Sequence, residues 1–277
     1  MHVAFLGLGQ IGGSIARAVA GSATRITAWT PSGTGPRAAV ADGIAAAKSI
    51  GEAIDEAELV VLAAPPLACL ELLDELAAHH RAALDPDAVI TDVASTKVAI
   101  VDRAKSHGLR FVGGHPMAGR ESAGYGASDP ELFRSRPWVI VPPEPADPAA
   151  EERVAWLASS CAARPVRIAA RDHDTAVAAI SHAPLVVAAA LVEAIAAAED
   201  WALARSLAAG GWASMTRLAT GDPTMGAGIL ATNGPATVER LRSIRASIDA
   251  WIGVLDSEDA EPEIRSRLEI ARRRLAE

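Results

Sequence analysis

The sequence predicts an α/β protein: a doubly wound, largely parallel sheet in the amino-terminal part, followed by an all-α part. Three observations predict it. Short β-branched or apolar runs alternate with helical patterns as far as about Arg171, the pattern of βαβ units with helices on both faces of a sheet. Beyond that point the strand signals stop. A glycine-rich turn, finally, joins the first strand to the first helix. At 277 residues the chain is long for one core, so two domains are expected, 1–168 and 169–277.

The strands follow in order: VAFLG from Val3, RITAW from Arg25, ELVVLAA from Glu58, AVITDVA from Ala88, RFVGG from Arg110, PWVIVPP from Pro137 and a last short PVRIA from Pro165. The proline-rich VPPEPADP, Val141 to Pro148, reads as a surface connection. After Arg171 come long helical stretches, punctuated by Gly210-Gly211, Gly221-Asp222-Pro223 and Asn233-Gly234-Pro235, which mark turns and helix boundaries. The stretch from Glu258 starts acidic and ends basic, as suits the dipole of a helix beginning near Pro262.

Composition narrows the function classes. The chain is 50% apolar with a mean hydropathy of +0.20, and Val177 to Ala198 invites a membrane reading. That stretch carries Ser181, His182, Pro184 and Glu193, and its apolarity is mostly alanine, of which the chain has 62. Alanine contributes little transfer energy, so a buried, closely packed helix and no membrane contact are expected. The start, MHVAFLGLG, shows no basic region, long apolar run or cleavage site, so a cytoplasmic protein is expected. Cys69 and Cys161 lie far apart with no metal-ligand spacing, so both read as core residues and no metal site is expected. A net charge of −8 offers no general attraction for nucleic acid.

The strand at Val3 runs into Gly7-Leu8-Gly9-Gln10-Ile11-Gly12, a GxGxxG that opens a helix. Its glycines permit a tight turn and close approach of the backbone to a pyrophosphate, and the helix N-terminus supplies N–H groups. This makes the sheet Rossmann-type. Gly7, Gly9, Gln10, Ile11 and Gly12 are the first candidate cofactor contacts, with Ala64 and Pro65 at the end of the ELVVLAA strand. At the end of the second strand, where NAD binding favours a carboxylate, the chain reads Thr30-Pro31-Ser32-Gly33-Thr34-Gly35-Pro36-Arg37. Hydroxyls at Thr30 and Ser32 with the Arg37 guanidinium suit a 2′-phosphate, so NADP is favoured and NAD possible. TDVASTK at Thr91 and FVGGHPMAGRE at Phe111 also lie at carboxyl ends of strands. His115, held between a glycine pair and a proline, is well placed there as a proton acceptor. On residues alone, His182 reads as a core histidine and Arg217 as a surface or paired arginine.

Together the segments resemble the prephenate and arogenate dehydrogenases of tyrosine biosynthesis. The match runs in family order: GLGQIGGS at Gly7, DVASTK at Asp92, FVGGHPMAGRES at Phe111, ELF after Pro130, HDTAVAAISHAP at His173, and GGW…TRLA from Gly210 to Ala219. The resemblance implies a Rossmann domain with a helical dimerisation domain, hence a homodimer, and oxidative decarboxylation of a cyclohexadienyl carboxylate with hydride transfer to NAD(P). It also implies roles. His115 matches the catalytic histidine, and Ser95 the companion that holds the substrate hydroxyl. Arg217, His182 and Glu121 match substrate-binding positions.

Three positions depart from the family pattern, all in the substrate half. Leu185 replaces a second histidine, Ser214 an acid, and Gly226 an aromatic. They leave prephenate, arogenate or an amino-substituted prephenate analogue open as substrate, with a non-catalytic nicotinamide sensor as the alternative from another class.

Overall fold

The structure, a computed structural model, describes residues 1–23, 25–119 and 122–276. Its first part runs β1 (His2–Leu6), α1 (Gln10–Val19), β2 (Arg25–Trp29), α2 (Thr34–Ala39), β3 (Ala45–Ala46), α3 (Ile50–Ile54), β4 (Leu59–Leu62), α4 (Pro66–His79), β5 (Val89–Asp92), α5 (Val98–Ser106), β6 (Phe111–Pro116), β7 (Pro137–Val141), α6 (Pro148–Ser160) and β8 (Arg164–Arg167). The strands form one sheet in the order β3-β2-β1-β4-β5-β6-β7-β8. β1 to β6 are parallel, β7 is antiparallel to β6, and β8 is parallel to β7. β6 and β7 are joined without a crossover α-helix among the described residues, which suits their antiparallel pairing.

Alternate residues of β1 feed two cores. Val3 and Phe5 pack with Ile15 and Val19 of α1 and with Val154 and Leu157 of α6. Ala4 and Leu6 point the other way, to Ile54 of α3, Leu73 and Leu76 of α4, and Ile100 of α5. That is the period-2 alternation of a strand buried on both faces. β3, two exposed alanines, has no such alternation, and the apolar pattern of the sequence does not reveal it.

The second part is helical: α7 (Ala170–Val177), a π-helical turn (Ala178–His182), α8 (Ala183–Ala196), α9 (Trp201–Ser206), α10 (Gly210–Thr216), a 3-10 turn (Arg217–Thr220), α11 (Pro223–Thr232), α12 (Gly234–Leu255) and α13 (Ala260–Ala276). The π turn has a sequence cause. Pro184 has no N–H to donate to the carbonyl of Ile180, so a regular α-helical ladder cannot pass through it, and the N–H of Ala183 donates instead to Ala178 five residues back. The widened turn carries His182, which is 1% exposed. The continuous stretch Ala170–Ala196 is long and apolar enough to cross a membrane by length and composition, with a mean hydropathy of 2.0 over its most apolar 18 residues. It packs against α10, α12 and the 3-10 turn and buries His173 and Asp174, but the expectation of a buried helix holds only in part, since 28% of its most apolar stretch is buried within the chain. Cys69 and Cys161 are both free thiols in the core.

Candidate active site

The parallel strands β1, β4, β5 and β6 deliver their carboxyl ends to one edge of the sheet, where ligands of open α/β folds bind. At β1 the glycine turn is shaped by its neighbours. Gly7 has φ +108°, and a Cβ there would lie 2.2 Å from the carbonyl oxygen of Ala63. A Cβ on Gly12 would lie 2.8 Å from the Ala63 side chain, whereas nothing stands within 4 Å of one on Gly9. The turn is therefore closed toward β4 and open at Gly9, where α1 begins with N–H groups that lack intrahelical partners. A dinucleotide pyrophosphate fits this cradle. Ile11 lies half-buried in the first turn of α1, and Ala64 and Pro65 lie half-buried after β4. The side-chain amide of Gln10 donates to the carbonyl and hydroxyl of Ser122 at 2.9 and 2.7 Å.

At the end of β2, Thr30 Oγ1 is buried with no hydrogen-bond partner among the described residues. Gly33 has φ +64° and opens α2. The guanidinium of Arg37 folds back over it and donates to the Ser32 carbonyl at 3.0 Å. Gly35 lets α2 approach the turn, since a Cβ there would sit 2.4 Å from the Leu8 carbonyl oxygen. The Ser32 and Arg37 side chains are thus exposed beside the glycine turn.

At β5 and β6 a buried network fixes the site. Asp92 and Lys97 form a fully buried ion pair, and the other Asp92 oxygen accepts from the Gly114 N–H at 3.0 Å. Burial pushes the Asp92 carboxyl above its ordinary range, against the pull of Lys97. Gly114 has to be glycine: a Cβ would lie 2.6 Å from the Asp92 carbonyl oxygen. The next residue is His115. Its Nδ1 is 2.9 Å from His173 Nε2, and His173 Nδ1 is 2.7 Å from Asp174 Oδ1. Asp174 also accepts the N–H groups of Lys97 and Val98, at 2.8 and 2.9 Å, and so caps α5.

The tautomers follow from this chain. A carboxylate only accepts, so His173 donates from Nδ1 and accepts at Nε2. His115 therefore donates from Nδ1, and the lone pair on its Nε2 is the basic one. Burial, with further contributions from His173, Lys97 and His182, holds His115 well below the usual histidine range, so it is neutral at neutral pH.

Ser95 is half-buried in the loop between β5 and α5. That loop is tied to the helical part twice: by Asp174, and by the Thr96 and Thr232 hydroxyls at 2.8 Å. His182 lies near the same cluster. Its Nδ1 is 3.0 Å from Asn233 Nδ2, its Nε2 is buried without a partner among the described residues, and burial lowers its pKa to about 4. Arg217 opens the 3-10 turn, exposed, on a segment packed against α8. Glu121 lies outside the described residues. Two of the departures from the family pattern touch: a Cβ on Gly226 would meet Leu185 Cδ2 at 3.5 Å, so Leu185 fills space beside a glycine. Sequence reasoning gave no role to His173, Asp174, Lys97 or Asn233. The first three lie within the quoted HDT and DVASTK segments, whereas Asn233 looks only like a turn.

Comparison with known proteins decides the family. Residues 16–167 match the model for "Prephenate dehydrogenase, nucleotide-binding domain", and residues 169–269 that for "Prephenate dehydrogenase, dimerization domain". The chain belongs to the prephenate dehydrogenase family. Among its relatives in this family is the prephenate dehydrogenase of Bacillus subtilis, 34% identical over 92% of this chain and 70% of that protein. The fold is similar to the crystal structure of Synechocystis arogenate dehydrogenase, with TM-score 0.82 and 29% identity over 98% of both chains. It is also similar to a prephenate dehydrogenase from A. aeolicus in complex with hydroxyphenyl propionate and NAD+, with TM-score 0.88 and 26% identity over 99% of this chain and 98% of that one.

Proposed function

We propose that the protein oxidatively decarboxylates prephenate, arogenate or both, giving a 4-hydroxyphenyl product, with NADP+ preferred over NAD+. The observation that carries this reading is the Asp174–His173–His115 chain, which leaves a neutral imidazole with a basic Nε2 at the carboxyl end of β6. A bound nicotinamide cofactor supplies the hydride acceptor, held by the turn at Gly7, Gly9 and Gly12, the first turn of α1 at Gln10 and Ile11, and Ala64 with Pro65. His115 Nε2 takes the hydroxyl proton as hydride leaves the same ring carbon. The ring carboxylate then departs as carbon dioxide, its bonding pair enters the ring and moves to the ketone oxygen, which takes the proton back from His115, and the ring becomes aromatic. Ser95 holds the hydroxyl toward His115. Arg217 pairs with a substrate carboxylate, with His182 and Glu121 completing the pocket.

The preference for NADP+ rests on Arg37, Ser32 and Thr30 at the end of β2, where no carboxylate stands to bond a ribose hydroxyl. Replacing Arg37 with Ala should raise the KM for NADP+ roughly tenfold or more and leave that for NAD+ nearly unchanged. Steady-state kinetics with both cofactors checks this, and equal effects on the two would remove the assignment. The division of labour is 1–168 for cofactor and 169–277 for substrate and self-association as a homodimer. The two buried, reduced cysteines suit a reducing compartment, so we place the enzyme in the cytoplasm.

The decisive experiment crosses prephenate and arogenate with NAD+ and NADP+, following reduced cofactor and released carbon dioxide. Turnover with at least one pair, fastest with NADP+, is expected; no turnover with any pair would refute the reading.

A further inference from the structure

His182 ends in a contradiction for a resting protein: a ring buried to 1% exposure whose Nε2 has no partner among the described residues. A buried donor left unmade costs free energy, so the fold has a reason to hold this nitrogen in one state. The reason is set by Asn233. This residue is 5% exposed and forms the joint between α11 and α12. Its N–H donates to Ile229 at 3.0 Å, and its carbonyl accepts from the N–H of Thr237 at 3.2 Å and from the hydroxyl of Thr237 at 2.8 Å. The backbone being held on both sides, the side chain is aimed.

Its amide cannot be turned over. Nδ2 lies 2.8 Å from the Asp174 carbonyl oxygen, and only an N–H group can face a carbonyl. The same Nδ2 lies 3.0 Å from His182 Nδ1. One hydrogen goes to each, so His182 Nδ1 has to accept, and the ring proton sits on Nε2.

We propose that Asn233 is a positioning residue: it locks His182 in the Nε2–H tautomer, so that the ring presents a hydrogen-bond donor to an acceptor oxygen of the substrate. The inference rests on the substrate-binding role proposed above for His182. Asn233 bonds in the same stroke the carbonyl of Asp174, the residue whose carboxylate orients His173 and, through it, His115. One amide therefore sets the proton position on the substrate-binding ring and braces the group that sets it on the basic ring. The low pKa of His182, about 4, keeps this a tautomer choice, with no second ring proton at neutral pH. The charged and titratable groups acting on the ring are Asp174 and His173, with His115 coupled to it in turn.

The test begins with the full chain free of ligands. Nitrogen-15 NMR of labelled histidine, with the His182 signals assigned by their loss in His182→Gln, should show a protonated Nε2 and a bare Nδ1. The opposite tautomer overturns the proposal, whether or not the enzyme turns over prephenate, so this outcome is separate from failure of the functional reading. In Asn233→Asp a carboxylate replaces the donor, and the ring has to switch to Nδ1–H. The KM for the carboxylate substrate should then rise roughly tenfold or more at pH 8, with kcat changed much less. It should recover as pH falls toward 6, because the new carboxylate beside Nδ1 raises the pKa of the ring above its wild-type position and the doubly protonated ring regains an Nε2 donor. Asn233→Ala, which removes the clamp without adding charge, should give mixed tautomers and a smaller rise in KM with no such recovery. An unchanged His182 tautomer in both variants, or a loss confined to kcat, would show that Asn233 serves packing alone.

Discussion

The proton position on His115, the proposed base, is set by two neighbouring residues. His115 alone has two equivalent choices of tautomer; His173 and Asp174 remove one of them. Because its proposed role is proton removal, His115→Asn should lower kcat about 10²- to 10⁴-fold while NADP+ affinity, read by fluorescence titration, stays within about twofold. Equal loss of both would mark a structural histidine. His182 leads to a stability prediction. Folding lowers its pKa from 6.5 to about 4, so between these values the unfolded chain binds more protons, and stability falls as pH falls through that window. The loss is on the order of 3 kcal/mol, at 1.36 kcal/mol for each pKa unit. Urea denaturation at pH 7.5 and 4.5 should show this drop, smaller in His182→Gln; equal drops in the two would place the titration elsewhere. At this scale the sequence makes His115 legible, because a histidine between Gly114 and Pro116 on a strand end has a clear setting. It hides His173 and Asn233, since what they do depends on partners 58 and 51 residues away.

At the scale of elements, β5 and β6 meet at a close main-chain contact. Gly114 stands against the main chain of Asp92, and a Cβ 2.6 Å from that carbonyl oxygen cannot be met by rotating a side chain. Gly114→Ala should therefore cost about 1–3 kcal/mol through overpacking, read as a lowered urea midpoint, and should also reduce kcat by displacing His115; a midpoint equal to wild type would mean that the strands can separate freely. The strands with apolar runs were legible from sequence because both sheet faces are covered. β3 was not, having two alanines and no buried face. The π turn was half legible: Pro184 marks where a ladder fails, but whether the helix kinks, ends or widens is decided by the packing of α8 and α12 around it.

At the scale of the whole molecule, the alanine-rich helices acquire a purpose that composition alone leaves open. The helical part leaves Ile180 70%, Leu207 75% and Met215 60% exposed, more apolar surface than a single chain covers well. Since residues 169–269 match a dimerization domain, this surface is expected to be buried by a second copy. Ile180→Glu should shift the protein toward monomer in light scattering after size exclusion, and a variant that remains dimeric would move the interface to another face.

The bracing of α5 by Asp174, and of the Ser95 loop by Thr232 through Thr96, ties the two halves at the reacting centre. The sheet and its glycine turn are built from residues of the first half alone, whereas the ring orientation of His115 depends on His173 and Asp174 from the second. Residues 1–168 by themselves therefore carry the nucleotide cradle but lack the partners that set the tautomer of His115.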